Sequence, residues 1–383
     1  MMNELKIKST CLSTFPPSEK LADVIHNGPN PCGIPHLVKL GIDATSDRLH
    51  LGHLVPLLVA QAIGKLNPNT EVKIVIGTFT GSIGDPSGSE KTRPQLDRAD
   101  VENNAFNIEK QLVKIFGDSF EILWNGDWLD EVGAISLIDL MSRFTTTRLL
   151  SRKNFLERLS KGNAVHAHEL IVPILQGIDS CNIEPTIEIG GIDQTFNFDI
   201  TREVMVAWGK IPQKCILAPI IVGTDGKKMS KSKGNCVFLD DNPEVIFGKV
   251  MSISDESMSD WLEVFDVEDA EMEINPLDRK KALAFCIVKF LHGTDPANFA
   301  KDHFELTVQE KKNPENMKEV PAGSIIEVIR SIRDVSKSEA RRLIMNGGVT
   351  IDGEAVIGII GDVQPGTVVK VGKRDFGKVI PCS

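Results

Sequence analysis

The chain has 383 residues, 41% apolar and 25% charged, with 31 Gly and 20 Pro, a composition that excludes collagen, coiled coil and wholesale disorder and suits two or three domains. A net charge of −10 argues against a protein that coats nucleic acid nonspecifically, since that footprint needs clustered Lys and Arg. The seven cysteines are scattered and contain no Cys-x-x-Cys pair, which signals neither a disulfide framework nor a zinc site and fits a reducing cytoplasm. Residues 1–20 contain no apolar leader and no run of about 18 apolar residues occurs, so neither secretion nor a membrane span is expected.

One residue type is missing. There are 17 Phe and 4 Trp but no Tyr, where ordinary usage of roughly 3% would give about eleven.

In chain order, residues 1–240 alternate short apolar runs with amphipathic stretches, the pattern of a doubly wound, Rossmann-like α/β layer. A helix is expected over 53–65, beginning near Gly52, with Pro56 tolerated in its first turn; a strand follows at 72–77. Residues 240–309 read as helical, most clearly over 277–291, where Leu283, Ile287, Val288 and Leu291 recur at three and four. Residues 310–323 have the polar, breaker-rich composition of a linker. Beyond it, Ser336 and Glu339 form a capping-box pattern before a helix over 340–345, Asn346-Gly347-Gly348 ends that helix with positive φ, and Asp352-Gly353 marks a hairpin. From residue 321 to the end, nine Lys or Arg face seven Asp or Glu, so this α+β tail carries a modest positive balance inside an acidic chain.

The candidate chemistry lies in two elements. His50-Leu51-Gly52-His53 opens the first helix, where free N–H groups attract phosphate, Gly52 permits close approach and two imidazoles can donate to phosphate oxygens. Alone this is a weak signal, since such a pair is far more often a core or surface feature. About 175 residues later comes Gly226-Lys227-Lys228-Met229-Ser230-Lys231-Ser232-Lys233-Gly234, a cationic, hydroxyl-rich loop suited to a triphosphate. Together they indicate nucleotide binding. His166 and His168 stand at i, i+2, a spacing that does not share a helix face, and are read as structural.

His50-Leu51-Gly52-His53 and Lys228-Met229-Ser230-Lys231-Ser232 resemble the two signatures of class I aminoacyl-tRNA synthetases. Asp43-x-Thr45, the stretch from Gly81 through Asp85 to Gly88, Leu175-Gln176-Gly177-Ile178-Asp179 and Ile189-Gly190-Gly191-Ile192-Asp193-Gln194 resemble the tyrosyl subgroup. The tail resembles the small RNA-binding domain that ends bacterial members. The resemblance implies condensation of ATP and an amino acid to an aminoacyl-adenylate, then transfer to tRNA. In it Thr45, His50, His53, Lys228 and Lys231 act on the phosphates. Gly52, Gly191, Asp193, Met229, Ser230 and Ser232 hold ATP, Asp193 at the ribose. Lys39, Asp85, Val172, Gln176, Asp179 and Gln194 form the amino-acid pocket, with Asp85 and Gln176 on the ammonium and Asp179 accepting a phenolic hydrogen bond. Lys337, Arg341 and Arg342 meet RNA. Magnesium comes with ATP and no protein-bound metal site is expected.

It further implies a catalytic domain over 1–240 with a dimerising insertion at about 124–175, a helical anticodon-contacting domain over 241–315 and an RNA-binding domain over 321–383. A homodimer in the cytoplasm is expected. The chain departs from the family at Val172 and Ile178, positions where a tyrosine is common, and Lys39 occupies a further position often held by tyrosine, which some branches fill with lysine. Three readings account for the missing tyrosines: a ligase that must be made when tyrosyl-tRNA is scarce, a paralogue activating a tyrosine analogue, or a deliberately tyrosine-free design. Outside the ligases stand a nucleotidyltransferase of the same superfamily, which would be shorter and lack RNA modules, and a noncatalytic RNA-binding or amino-acid-sensing relative, which would show broken signatures.

Overall fold

The computed structural model describes residues 5–18, 20–27, 36–66, 69–84, 95–267, 273, 275–309, 317–356, 358, 361–372 and 375–381. They fall into two compact units, Met1–Ala297 and Asn298–Ser383, and the division lies inside the helix Thr294–Phe304.

In the first unit, β1 (Lys6–Ile7) pairs with β8 (Phe265–Asp266). The main sheet holds β2 (Ser13–Phe15), β3 (Leu37–Asp43), β4 (Glu71–Gly77), β5 (Glu121–Trp124), β6 (Ile187–Gly191) and β7 (Lys214–Ala218), in the order β2-β7-β6-β3-β4-β5. All neighbours run parallel except β2 on β7. Parallel strands are covered on both faces, which is why Val72, Ile74, Val75 and Ile76 form a buried apolar run rather than an alternation. From β3 the chain winds outward through β4 and β5, then returns to add β6 and β7 on the other side. The carboxyl ends of β3 and β6 therefore flank the switch point where such sheets open a crevice.

After a short helix, Leu21–Asn27, the helix expected over 53–65 spans Leu51–Leu66. It buries Leu51, Leu54, Leu57, Leu58 and Ile63, which holds its N-terminus against the sheet edge. Pro56 is its sixth residue and not in its first turn, so the Gly52 carbonyl loses the donor that this position normally supplies.

Between β5 and β6 come the helices Ala134–Met141, Lys153–Ser160 and Ala167–Ile183. Inside them a buried Arg158 Nη1 donates to Glu169 at 2.8 Å. Glu169 Oε2 also accepts the His166 amide at 2.8 Å, so this histidine stretch starts a helix. In the helical block, Pro276–His292 is capped by Asn275, whose side chain accepts the Leu277 amide at 3.0 Å, and is ended by Gly293 at φ +92°.

The second unit opens on the end of the helix Thr294–Phe304 and the helical segment Glu305–Gln309 and is built on a five-stranded sheet packed by two helices. Its strands are β9 (Lys318–Pro321), β11 (Val349–Ile351), β12 (Glu354–Ala355), β14 (Val368–Val371) and β15 (Asp375–Ile380), in the order β12-β11-β14-β15-β9, and a short pair joins β10 (Gly323–Ser324) to β13 (Asp362–Val363). Its sheet begins three residues before position 321, because β9 runs parallel to β15. Helices Ile325–Ile332 and Lys337–Met345 close over Val328, Ile329, Ala340, Ile344, Val369 and Val371. Ser336 caps the second by accepting the Glu339 amide at 3.2 Å, while the reciprocal box sits one helix earlier, at Ser324 and Glu327. Of Asn346-Gly347-Gly348 only Gly347 has positive φ. Asp352 and Gly353, at φ +49° and +89°, form the two-residue turn that matches strand twist.

Candidate functional site

A cavity of about 950 Å³ opens at the carboxyl ends of β3 and β6. Thr45, His50, Gly52 and His53 line it from the helix Leu51–Leu66 and its approach, Gly191, Asp193 and Gln194 from the end of β6, and Lys228, Met229, Ser230 and Lys231 from the basic loop. Lys39, Val172, Gln176 and Asp179 line the same space. Elements up to about 190 residues apart in sequence thus converge on one site.

At the helix N-terminus the imidazoles of His50 and His53 stack, with centroids 3.9 Å apart. The Gly52 amide donates to His50 Nδ1 at 3.1 Å and the His50 amide to His53 Nδ1 at 3.2 Å. A ring nitrogen that accepts an amide is unprotonated, so in each neutral ring the proton sits on Nε2. Burial, reinforced by Lys231 and Lys228, lowers the His50 pKa to about 4. Burial and the charges of His50, Lys231 and Lys228 also hold His53 well below the usual histidine range. Both rings are therefore neutral Nε2–H donors at pH 7.

The basic loop is ordered around Asn235, which is buried. Its Oδ1 accepts the Ser230 amide at 2.8 Å, and its Nδ2 donates to Asp225 at 2.6 Å and to the Lys228 carbonyl at 3.2 Å. Lys228 reaches across to Asp193 at 2.7 Å, which ties the basic loop to the end of β6. Ser232 lies in the turn Lys231–Lys233.

At the other end, Asp179 is buried. Trp128 Nε1 donates to its Oδ1 at 2.9 Å and Asn125 Nδ2 to its Oδ2 at 3.2 Å. Asn125 also donates to Thr80 Oγ1 at 3.0 Å, and Thr80 to Asp43 at 2.6 Å. Burial pushes the Asp179 pKa up to about 6, against the opposing pull of Lys39, Trp128 and Asn125, and Glu188 adds to the rise. Lys39 is buried and ion-paired with Glu188 at 2.9 Å. Gln194 Oε1 accepts from Asn197 at 2.7 Å. Val172 presents an apolar, buried wall.

Asp85 falls outside the described residues. Lys337, Arg341 and Arg342 lie apart from the cavity lining, in the second unit, at exposed positions of Lys337–Met345.

Sequence reasoning missed Asn125, Trp128, Thr80, Asn235 and Glu188. For Glu188 the signal was present. A carboxylate between Ile187 and Ile189, and a lysine between Val38 and Leu40, are charges inside buried parallel strands, and such charges need each other. The strands pair in register, Lys39 opposite Glu188.

Residues 34–309 match the family model of the class I tRNA synthetases (W and Y). The chain is 40% identical to the tyrosine–tRNA ligase of Aquifex aeolicus, over 91% of this chain and 92% of that one. It is 38% identical to that of Thermotoga maritima, over 89% and 90%. Its fold is similar to the crystal structure of the Archaeoglobus fulgidus tyrosyl-tRNA synthetase complexed with L-tyrosine, with a TM-score of 0.54 and 19% identity over 71% of this chain and 92% of that one.

Proposed function

On the premise that this chain belongs to the class I tRNA synthetases (W and Y), we propose how its cavity carries out the tyrosine–tRNA ligase reaction. Tyrosine and ATP condense to tyrosyl-adenylate and pyrophosphate, and the tyrosyl group then passes to tRNA with release of AMP. The observation that carries the reading is the opposition, across one cavity, of neutral histidine donors and basic-loop lysines to a buried, hydrogen-bonded aspartate.

A carboxylate oxygen of tyrosine attacks the α-phosphorus in line; the new O–P bond forms as the bond to the pyrophosphate oxygen breaks. No covalent enzyme intermediate is needed, so the residues position and stabilise charge. His50 and His53 donate through Nε2–H to phosphate oxygens, where neutral rings provide fixed dipoles without needing to gain a proton. Thr45, Lys228 and Lys231 stabilise the leaving pyrophosphate. Asp193 releases Lys228 to take the ribose hydroxyls, beside Gly191, while Gly52, Met229, Ser230 and Ser232 complete the nucleotide site. Magnesium accompanies ATP and screens its phosphates.

Asp179 receives the phenol, Gln176 and Asp85 the ammonium, and Lys39, Val172 and Gln194 shape the pocket. Val172 offers no hydroxyl to the ammonium, which shifts that task onto its remaining partners.

The domain roles are part of the same proposal: catalysis in 1–240, anticodon contact by 241–315, and RNA binding by the tail through Lys337, Arg341 and Arg342. The insertion at about 124–175 supports a homodimer, because Ile135 and Ile138 are 85% and 65% exposed there, a large apolar exposure for a free surface.

Amino-acid-dependent ATP–pyrophosphate exchange over the standard amino acids and ring-substituted tyrosines tests the reading. Exchange strongest with tyrosine is expected. Exchange with an analogue alone, or silence throughout, would overturn it.

A further inference from the structure

Glu188 stands outside the cavity lining, yet its carboxylate is the hub of the polar cluster beneath the amino-acid pocket. Its Oε1 accepts from Lys39 Nζ at 2.9 Å and Gln176 Nε2 at 3.2 Å, and its Oε2 from Gln213 Nε2 at 2.6 Å and Ser180 Oγ at 3.0 Å. Four donors satisfy the carboxylate, as burial of a charge requires.

Lys39 is equally committed. Its three N–H groups have Glu188, Ser180 Oγ at 2.7 Å and the Gln176 carbonyl at 3.4 Å as acceptors. This ammonium has no donor left for a ligand, so it works through its neighbours.

Gln176 does line the cavity. Its amide has one oxygen and one nitrogen, and only the nitrogen can face a carboxylate. The Glu188 contact therefore fixes the flip of the amide and leaves Oε1 as the atom presented to the pocket, an acceptor suited to an ammonium.

We propose that Glu188, held by Lys39 in the adjacent strand, is a positioning residue that locks the Gln176 amide with its oxygen toward the substrate ammonium. The inference rests on the tyrosine-binding reading of the cavity. It supplies what Val172 lacks: an acceptor for the ammonium whose orientation is set from behind.

The test uses the full-length protein and two tyrosine fragments as competitive inhibitors of exchange. Tyramine keeps the ammonium and lacks the carboxylate; 3-(4-hydroxyphenyl)propionate keeps the carboxylate and lacks the ammonium. The first variant is Glu188→Gln. Because a lone buried Lys39 charge can unfold the protein, the second is the double variant Lys39→Met with Glu188→Leu, which removes both charges together. In either variant tyramine and tyrosine are expected to bind roughly tenfold or more weakly, with the KM for ATP within about twofold of wild type and the loss for tyramine roughly tenfold greater than any loss for the propionate, which shares the phenol and so reports what Lys39 and Glu188 do to Asp179. Equal weakening of both fragments, or of neither, in the double variant overturns the proposal. Wild-type protein that shows no exchange with tyrosine overturns the functional reading first, and this proposal with it.

Discussion

The rings of His50 and His53 are stacked 3.9 Å apart and are both held neutral, each Nδ1 accepting a backbone amide from its own helix turn. The backbone thus chooses the tautomer, and the tautomer aims Nε2–H at the cavity. Replacing His50 by Ala removes one donor to developing charge and should slow adenylate formation by about 10²-fold, with a smaller loss for His50→Gln, which keeps an N–H. Because the His50 pKa lies at about 4, kcat/KM for ATP should show no imidazole break between about pH 5.5 and 7.5; a break near 6.5 would contradict the assignment. The sign for stability follows from proton counting. Below about pH 6.5 the unfolded chain protonates these histidines while the folded one does not, so they make stability fall as pH drops from there toward 4.

Asp179 moves the other way. Its folded pKa of about 6 lies above the unfolded value of 3.8, so the folded state binds more protons across that window and this group's contribution to stability declines as pH rises through it. For function the ionised form is the acceptor. kcat/KM for tyrosine should lose activity on the acid side of about pH 6, a midpoint raised by burial against the opposing pull of Lys39, Trp128 and Asn125. Asp179→Asn should remove that limb and reduce the preference for tyrosine over phenylalanine roughly tenfold to a hundredfold. Unchanged discrimination in exchange assays would place the phenol elsewhere.

Lys231 lines the cavity from the basic loop and Asp179 from the helix Ala167–Ile183, and the proposed reaction gives them different substrates. Lys231→Ala should therefore lower the rate of pyrophosphate exchange by about 10²-fold while tyrosine KM stays within about twofold. Stopped-flow adenylate formation at saturating tyrosine separates the two constants. A tyrosine KM that rises with the loss of rate would show the loop shaping the amino-acid pocket as well.

Much of this site was legible because its chemistry sits at places that local pattern marks. His50, Gly52 and His53 open an amphipathic helix, and Lys228 to Lys233 form a loop whose charge density no core would tolerate. The strand over 72–77 and the helix over 277–291 followed from apolar spacing, and both formed within a residue at either end. What sequence could not order was the third dimension. Asn125 and Trp128 meet Asp179 only because β5 ends beside the helix Ala167–Ile183, and no local signal marks them. Pro56 falls just past the first turn because the helix starts at Leu51, one residue before the expected start near Gly52, with Leu51 buried at that start.

The absence of tyrosine joins composition to the activity. A ligase that charges tRNA with tyrosine limits its own synthesis whenever charged tRNA runs low, unless its messenger contains no tyrosine codon. With Val172, Ile178 and Lys39 in positions where the family commonly has tyrosine, even the pocket follows this pattern. In a reconstituted translation system depleted of tyrosine, full-length protein should accumulate at an undiminished rate while a tyrosine-containing control stalls. Equal decline of the two would sink the idea.

The last assignment concerns RNA. On the helix Lys337–Met345, Lys337 and Arg341 are four residues apart and Arg342 adjoins Arg341, all exposed. Among the described residues Arg342 pairs with Glu339 at the surface, at 3.7 Å, an interaction worth about 0–1 kcal/mol, so little holds it from a phosphate. Changing all three to Ala leaves the buried Ala340 and Ile344 face intact and should preserve both folding and exchange. Charging should suffer instead. Each lost phosphate contact lowers the dependence of tRNA affinity on salt by about 0.7 to 0.9 in log–log slope, so the triple variant should show a slope shallower by about 2 and a higher KM for tRNA with kcat little changed. A parallel slope with an unaltered KM would remove this helix from the RNA surface, and a loss of exchange would mean that these substitutions reach the catalytic unit.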